Sequence, residues 1–478
     1  MAGVARWAKP PRTLSLRSTP VMNSTFTRLA TALIGLIALS WPPVQGQPAS
    51  VEGFWLSDGY GYLLEIDAKR MQAFEVTAIS CLPAWTAVRV PGSVDGAPAV
   101  FKLAGGSARV EISTGPSPPT LYLAWPAAAS KVVCRRLDER PKIRDQKTEN
   151  TPLANFDVFW TTFAEHYPFF PFHHVDWDAV RAKYRNKVTA DTTPTELFAV
   201  LAEMMEPLHD AHTSLNAPSL PKRYHGMRPD PHPLDRKDFS RITEIIKKHL
   251  QGELKSACQG QVSFGKLSDT VGYLRIKAFT GYVASDDFDK GAEKLAAALD
   301  EALKDAHQWR GLVVDVRVNG GGFDVYGVMT ASRLTGRDYL AFTKKARSDP
   351  KSPALFTPPQ NATVKVGRAP RFEGNVVLLT SRHSVSAAET FTMALMGRTP
   401  RVTRVGENTQ GVFSDVLGRR LPNGWRFGLP NEIFLTESGE SFDGPGIAPD
   451  IAVPVFTKED LEHGRDPALQ KALGILGP

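Results

Sequence analysis

Three short, mostly apolar runs without polar alternation constrain the chain most: "VGYLRI" (271–276), "GLVVDVR" (311–317) and "NVVLLT" (375–380). A strand that alternates apolar and polar residues can leave one face in water, but these runs cannot. They must be covered on both faces, and the segments between them are long enough for a crossover helix each. One helix is expected at about 286–305, and another begins at Ser386 after the third run. The pattern predicts an α/β core with a largely parallel sheet.

At 478 residues the chain exceeds one ordinary core, so further domains are expected upstream. Residues 47–145 read as a small β-rich module: "GFWLSDGYGYLLEI" and "PTLYLAW" are aromatic and β-branched, with Gly and Pro turns between. A charged stretch, "RRLDERPKIRDQKTEN", marks its end. In 146–215 the period becomes helical. Phe156, Phe159, Trp160, Phe163 and Tyr167 share one helix face, and Thr193-Pro194-Thr195-Glu196 has the form of a capping box. Residues 216–270 are polar and Pro-rich and read as a linker with one helical stretch, 271–460 as the core, and 461–478 as a tail. Pro422-Asn423-Gly424 reads as a hairpin turn near the end of the core.

The formal charge of +7 suggests nucleic acid until its location is considered. Residues 1–47 hold Arg6, Lys9, Arg12, Arg17 and Arg28 and no acidic residue, so most of the excess lies there. No nucleic-acid partner is inferred. Arg28 followed by the apolar run Leu29–Trp41 reads as an export signal over 1–46, cleaved before Gln47. That predicts a periplasmic or secreted protein, held at the membrane if the leader is not cut. Cys81 and Cys134 fall in one module, where an oxidising compartment would permit a bridge. No paired-cysteine or His-Glu-x-x-His spacing occurs, and no metal or other cofactor is expected.

Two segments carry chemistry. "NVVLLTSRHSVSAAETF" runs from a buried strand through a short turn to Ser386 at the start of a helix. There the hydroxyl meets the free amide end of the helix, with Ala387 N–H aimed at whatever Ser386 holds. Serine is also a common helix cap, so the segment alone fits either role. "GLVVDVRVNGGGFD" places Asn319 and three glycines, Gly320, Gly321 and Gly322, after a buried strand. Such a loop lets backbone amides approach a negative charge. No Gly-Lys-Ser/Thr follows, which argues against a phosphate loop; an oxyanion donor in this glycine run is preferred to a plain tight turn.

Taken together, these segments resemble the tail-specific (C-terminal processing) proteases, peptidase family S41. The matching motifs are "D-x-R-x-N-x-G-G" at Asp315–Gly322 and "S-A-x-E" at Ser386–Glu389, with "RVGENTQG" (404–411) and "FDGPGIAPDI" (442–451) in the same order. The resemblance spans roughly 153–453 and implies a crotonase-like (ClpP/crotonase-type ββα) core behind a helical domain. It also implies a serine peptidase acting on peptide or protein substrates. Members with a Ser-Lys dyad carry a lysine soon after the Thr-x-Gly that matches Thr409-Gln410-Gly411, where this chain has Val412, and no lysine lies between Ser386 and Lys458. The tricorn-like branch instead uses a histidine from the helical domain and a late acid. These map to His212, with Ala211 where that branch has a serine, and to Asp443, one methylene shorter than the usual glutamate.

The resemblance therefore implies Ser386 as nucleophile, His212 as base and Asp443 as orienter, with the amides of Gly321 and Ala387 as oxyanion hole. Gly320, Asn319, Glu389 and His383 are supporting candidates, His383 also as a rival base. The 55 or so residues between Leu215 and Val271 are too few and too polar for a complete PDZ domain. Two other readings use the same scaffold: a non-catalytic binder of peptides or hydrophobic small molecules, and an acyl-CoA enzyme, against which export argues.

Overall fold

A computed structural model describes residues 50–92, 98–115, 120–229, 233–285, 287–352 and 354–477. The export signal expected over 1–46 lies outside the described residues.

The N-terminal module is a closed barrel of eight antiparallel strands in sequence order, from Gly53–Ser57 to Lys131–Leu137, the last pairing with the first. Eight strands leave an interior that side chains fill. Here Trp55, Leu64, Met71, Phe101, Ile112 and Leu123 fill it. Cys134 lies among them; it and Cys81 are both unpaired thiols.

Helix Pro152–His166 is capped by Thr151, and helix Pro194–Met205 has the expected capping box between Thr193 and Glu196. Their apolar stripes pack together and onto strand Arg426–Pro430, with the Phe159 and Phe427 rings 5.0 Å apart. The chain then enters strand Ser214–Ala217, which pairs antiparallel with Arg426–Pro430. Arg426–Pro430 also forms the expected hairpin with Val416–Arg420, Gly424 taking positive φ in its turn. This register draws the residues before Ser214 toward the core.

The core sheet has seven strands. Val271–Ile276, Gly311–Asp315, Asn375–Thr380, Thr403–Gly406 and Ile451–Ala452 run parallel. Helices Phe288–Ala302, Asp324–Ser332 and Ala387–Met396 cover one face. Helices Arg236–Lys247, Lys458–His463 and Pro467–Leu476 cover the other. Residues 216–270 are not the linker that their polarity suggested. Gln251–Ala257 and Val262–Ser268 extend the sheet antiparallel, and Ile242, Ile245 and Ile246 pack one helix against it. The outermost strand is almost wholly exposed, so it carries no apolar run to read.

The C-terminal segment is locked to the core from inside. Arg317 is fully buried and bonds Asp315 (Nη2–Oδ2 2.7 Å) and Asp466 (Nη1–Oδ1 2.6 Å), and Asp466 also caps the last helix through Leu469 N–H. Without Asp466 the guanidinium keeps Asp315 but loses its charge-assisted bonds on the other side, and the last helix loses its cap. Asp466→Ala is therefore expected to destabilise the protein by about 2–4 kcal/mol, measured by urea unfolding.

Candidate active site

The parallel strands end at Asp315, Thr380 and Gly406, and the loops that follow build one site at their carboxyl ends, where open α/β sheets place ligands. The turn after Thr380 is stitched to the neighbouring loop. Ser381 Oγ donates to Arg317 O (2.5 Å), Ser384 Oγ to Val316 O (2.8 Å), and Val385 N–H to Asn319 O (3.0 Å). Ser386 follows with φ 57° and ψ −118°, a backbone region that residues with a side chain seldom adopt. Such a conformation costs on the order of 1–3 kcal/mol and persists only where the surroundings over-determine it. They do so here through the backbone: Ser386 N–H faces Val412 O (3.2 Å) and Glu389 Oε2 (3.1 Å), while Ser386 O accepts Glu389 N–H (2.7 Å).

Glu389 is the hub of this arrangement. Fully buried, it accepts Gly411 N–H at 2.6 Å on one oxygen and Val412 N–H at 2.8 Å on the other, besides that of Ser386. It clasps the Ser386 turn to the 411–412 loop. Burial pushes its carboxyl up to about 7, against the pull of the Thr409 side chain and these amides. Its ordinary value is 4.5, so folding takes up a proton at Glu389 between the two. Its contribution to stability is therefore greatest below about pH 4.5 and is lost as pH rises to about 7, by on the order of 3 kcal/mol. Wild type is expected to lose more unfolding free energy than Glu389→Gln between pH 5 and about 7.5. Equal slopes in urea titrations would contradict this.

His212 reaches the same loop from the helical side. Its N–H donates to Asp210 Oδ1 (2.9 Å), whose other oxygen accepts Tyr167 Oη–H (2.8 Å). Its Nδ1 lies 2.8 Å from Phe413 O. A carbonyl only accepts, so Nδ1 carries the proton and Nε2 presents its lone pair. Val412 O holds Ser386 and Phe413 O holds His212. Consecutive carbonyls thus bring the two expected catalytic side chains to one loop.

Asp443 does not occupy the place that the resemblance implied. It is buried beside the site, but its Oδ2 accepts Phe413 N–H (3.2 Å) and its Oδ1 lies 3.7 Å from Arg228 Nη2. No hydrogen bond joins it to His212 among the described residues; the Phe413 carbonyl orients the ring instead. The aspartate side chain, one methylene short, engages the backbone beside the ring's acceptor. Burial, then the nearby Asp210, raise its carboxyl well above the usual range, with Arg228 opposing them.

The two expected oxyanion donors also differ. Ala388 and Glu389 N–H are taken by Val385 O and Ser386 O, while no acceptor among the described residues takes Ala387 N–H. Gly321 N–H is already donated to Asn319 Oδ1 (2.9 Å). Gly321 nonetheless lines the site: with φ 92°, a Cβ there would stand 2.7 Å from Ser386 Cβ and 3.3 Å from Ala387 N. Gly320 N–H donates to Lys277 O (3.3 Å), and His383 N–H to Ser381 Oγ (3.0 Å) within the turn that leads to Ser386.

Sequence reasoning missed Arg228, Asp210 and Phe413. Arg228 bonds Gly411 O (2.6 Å) and Gly444 O (3.2 Å), tying the loop beside Val412 to the one beside Asp443. A cavity of about 380 Å³ opens there, lined by Arg228, Arg382, Glu407, Thr409 and Gln410. Asp210 was visible in Asp-Ala-His; the role of Phe413 rests on a main-chain carbonyl and leaves no mark in the sequence.

Residues 270–453 match the model of peptidase family S41, and residues 149–206 that of the tricorn protease C1 domain. No curated protein matches the chain significantly. Among solved structures, a candidate peptidase from Parabacteroides merdae is 27% identical with TM-score 0.58, over 69% of this chain and 98% of that one. Mature CPAF in complex with lactacystin shares the fold at 12% identity and TM-score 0.50, over 68% and 97% of the two chains. The chain therefore carries a peptidase family S41 domain over residues 270–453, that of a serine peptidase, with a tricorn-type segment at 149–206 ahead of it.

Proposed function

We propose that the protein is an endopeptidase of exported or unfolded polypeptides, with Ser386 as nucleophile and His212 as general base. The pairing of Ser386 N–H with Val412 O and of His212 Nδ1 with Phe413 O carries the reading. His212 Nε2 removes the Ser386 hydroxyl proton as Oγ attacks the scissile carbonyl, and Ala387 N–H faces the developing oxyanion. The imidazolium then protonates the leaving amine, and water, activated by the same nitrogen, hydrolyses the acyl-enzyme. Asp443 is a positioning residue, holding Phe413 by its N–H while the carbonyl of the same residue holds His212. The basic, apolar leader supports export.

Between Leu215 and Val271, Lys222–His225 pairs with Ser214–Ala217, helix Arg236–Lys247 covers the core sheet and residues 251–268 extend it, which supports cleavage independent of a free chain end. A peptide with an amidated C-terminus is expected to be cut internally at a rate within about twofold of its free-acid form. Loss of cleavage on amidation, read by mass spectrometry, would overturn the endopeptidase reading.

A further inference from the structure

The barrel touches the site through one turn. Gly59 and Tyr60 sit between its first two strands, sunk in a socket on the core: a Cβ at Gly59 would meet Ala346 Cβ at 2.8 Å and Arg347 O at 2.9 Å. Arg419 donates to Tyr60 O from the hairpin. Two bonds then run from the turn to one dipeptide: Asn431 Nδ2 donates to Gly59 O (3.1 Å), and Tyr60 Oη–H to Glu432 Oε1 (2.5 Å). That dipeptide grips the next. Asn431 and Glu432 N–H both donate to Ser414 Oγ (3.2 Å each), and Asp415 N–H donates to Glu432 Oε2 (3.2 Å).

Ser414 is held at φ 78°, uncommon for a residue with a side chain, and it follows Phe413 directly. Buried Lys344 completes the clamp, 2.6 Å from Asp415 Oδ2 and 3.2 Å from Glu432 Oε2. Both oxygens of a fully buried carboxylate are thus engaged, Oε1 by the barrel's Tyr60.

We infer that the barrel is a working part of the peptidase site, with Tyr60 a positioning residue that fixes the Phe413 carbonyl through Asn431–Glu432 and Ser414–Asp415. A contact that merely joined two domains would stabilise both without touching the chemistry. This one ends on the residue next to the acceptor of His212. Removing the phenol leaves Glu432 Oε1 buried without its donor, and the 413–415 segment relaxes. The Nδ1–H bond to Phe413 O, which favours the imidazolium, weakens with it.

The inference rests on the proposed role of His212, and the test separates the two. Full-length wild type, Tyr60→Phe, Ser414→Ala, the double variant and His212→Ala are labelled with a fluorophosphonate across pH, and their melting is followed in parallel. Tyr60→Phe is expected to lower the rate of Ser386 labelling about tenfold and to move the midpoint of the pH profile downward, with melting shifted by only a few degrees. Ser414→Ala, which leaves the barrel untouched, should reproduce the loss, and the double variant should lose no more than the larger single effect. A wild-type rate and midpoint in Tyr60→Phe overturns the inference, as does a double loss equal to the product of the two. If His212→Ala labels like wild type, the site reading fails instead, whatever Tyr60→Phe does.

Discussion

Ser386→Ala is expected to abolish peptide hydrolysis, lowering kcat by at least about 10⁴-fold, while leaving the melting temperature close to that of wild type. The size of the effect follows from chemistry: without the hydroxyl no acyl-enzyme forms, and only water held near Ala387 N–H remains. The intact fold follows from the bonds around Ser386. They use its N–H and carbonyl, with Val412, Glu389 and Thr390 as partners, and alanine keeps both groups. Alanine meets the same backbone strain at φ 57° as serine, so that cost cancels. A variant that unfolds, or that cleaves at more than about a hundredth of the wild-type rate, would contradict this.

His212→Ala should cost nearly as much, about 10³- to 10⁶-fold in kcat, and remove the base limb of the pH–rate profile. Two alternative bases lie near the same loop, Lys344 and His383. Lys344 is buried near the same loop, and burial alone would pull its proton off. Asp415 and Glu432 outweigh that and hold it well above the usual lysine range. His383 belongs to the Ser386 turn itself, through Ser381. Activity of His212→Ala within about tenfold of wild type would remove the imidazole from the mechanism.

The placement of Ser386 was legible because its determinants are local. A buried strand, a short turn and Ser-Ala-Ala-Glu specify the position of the hydroxyl, and the Glu389 contacts are those of a residue one helical turn on. His212 was legible only through the order of motifs, since its approach depends on a strand pairing with residues more than two hundred positions later. The shortfall of Asp443 could be read as a missing methylene. What replaces it could not, because any residue at 413 has a carbonyl. The engagement of Gly321 was foreseeable in part: asparagine two positions earlier can turn its side chain onto that amide. The barrel's share in the site was hidden altogether. Tyr60 and Glu432 are unremarkable in sequence, and only the packed turn brings them together.

The most direct test of the account is fluorophosphonate labelling of purified wild type beside Ser386→Ala and His212→Ala, with the modified peptide mapped by mass spectrometry. The account predicts one adduct, on Ser386, absent in the first variant and slowed by at least about a hundredfold in the second. Folded wild type that takes up no label, or takes it up on another serine, would contradict it.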